Sequence, residues 1–396
     1  MATRSPKALV KPEIIEWLRL ASGFSVEETA RRVQTKSDNV LAWESGDDSP
    51  SMPQLRKLAK AFKRPISYFY LPHPVNEPAI PHDFRRLPDE GARQYSPALL
   101  HEIRMAYRRR SLALDLAEEM DTGPGAFEAL GSVSIEDDPE QVGQKVRDLL
   151  TITHGEQSSW REPRTAYNAW RSKIEALGVL VFQVTTVEKA QMLGFSLVFR
   201  ELPVIAINRK LHPNGRIFTL LHEFVHVLLG EGGICDLDEE VLRPPREQRI
   251  EVFCNHVAGA ALVPKDALVQ HRLVAAGGAR PRDWDDDIIE SLTRDFGVSR
   301  EVVVRRLLIA GRTTQAFYAR KRAEYAAQIA QQERQQKEAQ KDGFPRNMAQ
   351  EAVSNLSVFA RLVIDGYHSD VINLSEASRF LGVKAEKVAA VDNLIR

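Results

Sequence analysis

The sequence predicts an α+β multidomain fold. An N-terminal all-α helix-turn-helix comes first, then a mixed α/β domain with a small mixed sheet and a histidine-bearing helix, then a helical C-terminal extension. Three observations predict this. Residues 11 to 71 hold only short helical patterns joined by tight turns. Three apolar, β-branched runs follow between residues 179 and 208, and His222-Glu223-Phe224-Val225-His226 comes soon after, inside the apolar run Phe218 to Leu229. At 396 residues the chain exceeds one ordinary core, so two or three domains are expected.

The first helix contains Trp17, Leu18 and Leu20. Ser25 and Glu28 have the spacing of a capping box, which opens a second helix with Thr29, Ala30 and Val33 turned inward. A turn at Thr35 to Ser37 leads to a third helix, Asp38 to Trp43, stopped near Gly46. Leu55, Leu58, Ala59 and Phe62 recur at helical spacing before Pro65. Two helices joined by so tight a turn are the layout of a DNA-reading module.

Pro72 to Pro97, proline-rich and containing Asp83-Phe84-Arg85-Arg86, reads as a linker that docks on the next domain. Helical patterns then run from 98 to Gly178. There the period changes, and strands are expected at Val179–Val184, Phe195–Phe199 and Val204–Asn208. Further helices are expected over 247 to 272, broken at Pro264, and over Trp284 to Phe296 and Ser299 to Ala310. Arg320 to Lys341 reads as a solvated helix or linker, and Met348 to Ile395 as three more helical patterns without an internal repeat. The expected boundaries are 11–72 for the helix-turn-helix, 73–97 for the linker and 98–320 for the mixed domain (helical lead-in 98–165). A charged helical linker at 321–343 and a small helical unit at 344–396 complete the chain.

Formal net charge is zero and the pI about 7.2, so no global field draws the molecule to nucleic acid or membrane. Two cysteines, Cys235 and Cys254, cannot form a disulfide framework and fit a reducing compartment. No segment reaches the roughly 18 to 20 apolar residues of a membrane-spanning helix, and no secretory signal is expected. A cytoplasmic protein with no membrane partner is the expectation.

An HExxH element puts two histidines on one helical face, where both imidazoles can hold one cation, and a glutamate beside them that can take a proton from water. The reading is therefore one Zn²⁺ per chain held by His222 and His226, with Glu223 as the catalytic base of a hydrolase. A third ligand is needed, and Glu251 is preferred because a carboxylate on an apolar-periodic helix requires a partner. His256 is the competing donor. Asn255, one turn beyond Glu251, is placed to orient a ligand histidine. His212, Arg216, Arg243 and Tyr318 are all open as stabilisers of a tetrahedral oxyanion. A thiolate block by Cys235 is the less favoured reading, and both cysteines are expected to behave as small apolar residues.

In the helix-turn-helix, Lys36, Ser37 and Asn39 stand at the exposed start of the third helix as candidate DNA-binding residues, Asn39 for an adenine edge. Against this, Asp38, Glu44, Asp47 and Asp48 crowd the same surface. Residues 1 to 72 carry 12 Lys/Arg and 8 Asp/Glu, a net +4, with much of the positive charge on other helices. Since phosphate neutralisation supplies most affinity, these acids weaken binding, and a protein-contact or dimerisation role competes.

The residues resemble the ImmA/IrrE family of bacterial metallopeptidases with an N-terminal Xre/Cro-type module. In the first module the resemblance lies in Ser25-Val26-Glu27-Glu28-Thr29-Ala30, Trp43-Glu44-Ser45-Gly46, Pro50-Ser51 and Leu55-Arg56-Lys57-Leu58-Ala59. In the second it lies in Phe218 to His226, Glu251-Val252-Phe253-Cys254-Asn255 and Ala258 to Pro264, with strand-like Gly178–Phe182 and Val204–Asn208 ahead of them. It implies a zincin-like metallo-endopeptidase with His222, His226 and Glu251 as zinc ligands and Glu223 as catalytic glutamate. It also implies cleavage of a repressor or antitoxin protein that derepresses stress or mobile-element genes. Two positions depart from the pattern: Cys254 stands where alanine is usual, and Asp47-Asp48 where basic residues are frequent. Two other functions remain open. One is a DNA-binding regulator whose metal domain senses a ligand or zinc; the other is a toxin–antitoxin-type regulator acting by binding alone. Protein substrate and duplex DNA are thus the candidate partners, and a homodimer is admitted.

Overall fold

The computed structural model describes residues 6–77, 80–83, 95–123, 127–235, 245–339 and 347–396. The described residues divide into two compact units: 6–77, 80, 95–108 and 186–191 in one, and 81–83, 109–123, 127–185, 192–235, 245–339 and 347–396 in the other.

The first unit is built from α1 (Pro12–Ala21), α2 (Val26–Val33), α3 (Ser37–Ser45) and α4 (Met52–Phe62). Both bonds of the Ser25–Glu28 box are made, and Gln34 ends α2 in the left-handed conformation at φ 61°. Gly46 ends α3 at φ 87°, a conformation that costs glycine little. Ile14, Ile15, Leu18, Val33, Val40, Trp43, Leu55, Leu58 and Phe62 form one core. Beneath it Arg19 grips Glu44 through two bonds, at 2.7 and 2.8 Å, so one of the acids on α3 is neutralised from within. Asp48 pairs with Lys7.

Among the described residues of the second unit, five short strands form one mixed sheet in the order β1-β5-β3-β4-β2. They are β1 (His82–Asp83), β2 (Leu180–Val184), β3 (Gly194–Leu197), β4 (Val204–Asn208) and β5 (Gly233–Cys235). β2 runs parallel to β4, β3 antiparallel to β4 and β5, and β1 parallel to β5. Every residue of β2, β3 and β4 is buried, which is why these runs are mainly apolar instead of alternating, with Gln183, Ser196 and Asn208 as their buried polar residues. The linker reading met a strand at His82–Asp83; Phe84-Arg85-Arg86 lies outside the described residues.

The helices of this unit, in chain order, begin with α5 (Pro97–Glu119), whose residues up to 108 belong to the first unit. They continue as α6 (Pro139–Leu149), α7 (His154–Ser159), α8 (Pro163–Glu175), α9 (Pro213–Leu229), α10 (Pro245–Leu262), α11 (Lys265–Gln270) and α12 (Arg272–Ala276). After them come α13 (Asp286–Phe296), α14 (Arg300–Ile309), α15 (Gln315–Ala339), α16 (Met348–Leu356), α17 (Val358–His368), α18 (Leu374–Leu381) and α19 (Val388–Ile395). α9 lies on β3 and β4 and touches α8 and α10. α6 comes so close to α10 that a Cβ at Gly143 would stand 2.6 Å from that of Ala260. Two sequence expectations change here. α15 starts at Gln315 and not Arg320, because Phe317 and Tyr325 are buried in the core and tie its first turns down. The tail is no separate appendage, since α16 and α17 rest on β2.

Buried Arg306 pins three helices. Its guanidinium donates to both Glu140 oxygens, at 2.6 and 2.7 Å, and to the Val263 carbonyl at 2.8 Å; His256 lies 2.8 Å from the same Glu140. Burial pushes the Glu140 carboxyl up, but the Arg306 and His256 bonds outweigh it and hold it at about 2. A carboxyl depressed in the fold contributes stability above its unfolded pKa of about 4.3, lost as pH falls towards about 2. Arg306→Met is therefore expected to cost about 2–4 kcal/mol at neutral pH, below the fully buried limit because Glu140 is partly exposed. It should also flatten the loss of stability between pH 4.5 and 2. Urea melts across that range test both, and an unchanged acid limb would refute the role of the pair.

Candidate metal centre

α9 brings the histidines together for local reasons. His212 caps it, its Nδ1 accepting from the Asn214 amide at 3.3 Å; Pro213 occupies the first turn, and Gly230 ends it at φ 79°. From Phe218 to Leu228 every residue is buried, so the helix cannot turn either histidine to solvent. His222 and His226, one turn apart, face each other with their Nε2 atoms 3.1 Å apart. The Glu231 carbonyl lies 2.9 Å from His226 Nδ1, which puts the proton there and leaves Nε2 a lone pair.

Glu251 on α10 closes the triangle: its oxygens lie 3.5 Å from His222 Nε2 and 3.1 Å from His226 Nε2. All three side chains are fully buried, and their donor atoms lie within 4.8 Å of one another. Ligands at about 2.0–2.2 Å in tetrahedral geometry stand roughly 3.3–3.5 Å apart, so the spacing fits a small ion. The donor set also fits: two imidazole nitrogens and one carboxylate, with one position left for water.

Glu223, fully buried, lies against the backbone of β3. A Cβ at Gly194 would stand 2.6 Å from Glu223 Oε1 and 2.8 Å from Thr219 Cγ2, so glycine there makes the room the carboxylate occupies. Sequence reading missed Gly194; a glycine opening a strand was the only signal, and it marks close approach in general terms.

His256 points instead to Glu140, at 2.8 Å, away from the histidine pair. Asn255 is buried one turn beyond Glu251. Cys254 is fully buried with its thiol in hydrogen-bond contact with His226; burial raises its pKa, so it stays a neutral thiol. Of the oxyanion candidates, His212 is used as a cap. Arg216 donates to Gln183 at 2.7 Å and lies over the Tyr167 ring. Tyr318 packs on the core. Arg243 and the Cys235 side chain lie outside the described residues.

In the first unit Lys36 and Asn39 are exposed and Ser37 half-buried; Asn39 donates to Thr35 Oγ1 at 2.7 Å. Beside them Glu16, Asp38, Leu41, Ala42, Glu44, Ser45 and Asp47 line an open groove of about 570 Å³. With Glu44 paired to Arg19, Glu16, Asp38 and Asp47 remain as its anionic lining.

Comparison with known proteins adds to this geometry. Residues 174–308 match the Peptidase_M78 family, described as the IrrE N-terminal-like domain. Residues 15–69 match the HTH_3 helix-turn-helix family. The first match spans β2 to α14 and includes both histidines, Glu223 and Glu251; the second spans α1 to α4. A search of curated proteins gives no match. Among the described residues no helix is long and apolar enough to cross a membrane.

Proposed function

We propose that this chain, which joins a helix-turn-helix module to an IrrE-like metallopeptidase domain, is a regulatory zinc-dependent endopeptidase. Its substrate is a cytoplasmic protein, a helix-turn-helix repressor or antitoxin, whose removal derepresses genes. One observation carries the reading: His222, His226 and Glu251 converge within 4.8 Å while Glu223 is held on the same helix as the histidines. The three converging side chains would hold the zinc, whose contribution there would be to polarise the scissile carbonyl and lower the pKa of water towards about 7. Glu223 accepts the proton of the attacking water and delivers it to the leaving amine. Its carboxylate occupies the space that Gly194 leaves open beside β3. The Glu231 carbonyl keeps His226 in the tautomer that presents Nε2. Asn255 serves as a positioning residue on α10.

Complete burial of the four groups favours a second reading, a regulator whose metal domain senses zinc and whose Lys36, Ser37 and Asn39 contact DNA. One experiment separates the two. The chain is co-expressed with candidate helix-turn-helix repressors from the same genome, as wild type and as Glu223→Gln. The substrate among them is expected to disappear only with wild type; equal survival of all of them in both would sink the proteolytic reading for these targets. Elemental analysis of the purified protein should return about one zinc per chain.

A further inference from the structure

The tail repeats, in its backbone, the turn that defines the first module. Shifted by 348 residues, Ser25 and Glu28 fall on Asn373 and Glu376, and the second pair also makes both bonds of a capping box. α2 and α18 are each eight residues long. Left-handed Gln34 at φ 61° falls on left-handed Gly382 at φ 67°. The amide of Thr35 bonds the Ala30 carbonyl at 2.9 Å, and that of Val383 the Ser378 carbonyl at 3.1 Å. Buried Thr29, Val33, Val40 and Trp43 fall on buried Ala377, Leu381, Val388 and Val391. The helix before the turn is present too: α17 packs on α18 and α19 as α1 packs on α3. Only a few positions keep the residue itself, among them Glu28 and Glu376, Lys36 and Lys384, and Val40 and Val388. That is why no repeat is visible in the sequence.

We propose that α17–α19 form a second helix-turn-helix and that it binds duplex DNA through the start of α19. The positions of Lys36 and Asn39 are taken by Lys384 and Lys387, both exposed. Over matched stretches the charge reverses. Residues 36–48 carry Lys36 against Asp38, Glu44, Asp47 and Asp48; residues 384–396 carry Lys384, Lys387 and Arg396 against Glu386 and Asp392. Asp392 is taken up by His368 at 2.8 Å and Arg396 at 2.9 Å, and exposed Glu386 lies 3.8 Å from Lys384, which leaves Lys387 as the cation without an acidic partner among the described residues of this stretch. Ala389 and Asn393 complete the outward face of α19, small and polar enough for close approach to base edges, while Lys384 and Lys387 reach phosphates. A protein interface would place several aromatic or large apolar anchors here, and the face offers one, exposed Leu394. Neither family match reaches these residues.

The test is fluorescence anisotropy of the full chain with a random-sequence 30-base-pair duplex at several salt concentrations. Wild type, K384E/K387E and K36E are compared, with zinc content and thermal melts confirming that each is folded. The C-terminal pair is expected to weaken binding at least tenfold and to reduce the salt slope by about two, one per phosphate contact. K36E reads the first module's own share of the binding, and its loss of affinity should be smaller than that of the C-terminal pair. Binding by K384E/K387E within twofold of wild type, no binding by wild type at low salt, or loss confined to K36E would each overturn the proposal. So would a concentration-dependent self-association that the lysine pair abolishes while DNA affinity is unchanged.

Discussion

Purified Glu223→Gln protein is expected to cleave its target about 10²- to 10⁴-fold more slowly than wild type, the range a positioned general base contributes. Glutamine fills the same space beside Gly194, so the fold and the neighbouring His222–His226–Glu251 triangle should survive. What is lost is the ability to accept a proton. Zinc content should therefore stay at about one per chain, and KM should change little while kcat falls. Replacing a buried carboxyl by a neutral amide should also leave thermal stability equal or higher. A turnover within a few-fold of wild type would show that Glu223 is not the base.

Gly194→Ala is expected to lower turnover at least tenfold without touching a ligand. The added Cβ would lie 2.6 Å from Glu223 Oε1 and 2.9 Å from its Cγ, contacts no folded protein tolerates. β3 cannot retreat, because Gly194 is paired with Ile207 on one side and Cys235 on the other. The carboxylate must move instead, and a displacement of about 1 Å at a reacting group can cost about 10²-fold. Overpacking of this kind also costs about 1–3 kcal/mol of stability. Gly215→Ala on α9 is the control: its Cβ would meet only Leu211 Cβ, at 3.9 Å. It should stabilise the helix by up to about 1 kcal/mol and leave turnover unchanged. Equal activities of the two variants would refute the close approach at Gly194.

Much of this was legible in residue order because it depends on local rules. The Ser25–Glu28 box, the stop at Gly46 and the break at Pro264 follow from backbone chemistry within a few residues. His222 and His226 face each other because a helix repeats every 3.6 residues. Glu251 was legible as a carboxylate on an apolar helix, but not its distance from either histidine. The choice against His256 needed Glu140 and Arg306, which are far away in sequence. Pairing also changed the surface charge of α3: Asp48 meets Lys7 and Glu44 meets Arg19, and no count of charges reveals that.

The sequence by itself determined the helix-turn-helix, the three buried strands and the histidine-bearing helix, since each depends on periodicity or on caps that neighbouring residues supply. Tertiary structure alone decided which carboxylate meets the histidines, why position 194 must be glycine, and that the tail rests on β2 and repeats the first module's turn. These depend on contacts between residues far apart in the chain. A side chain's partner there is set by how helices and strands pack, and the order of residues along the chain does not record it.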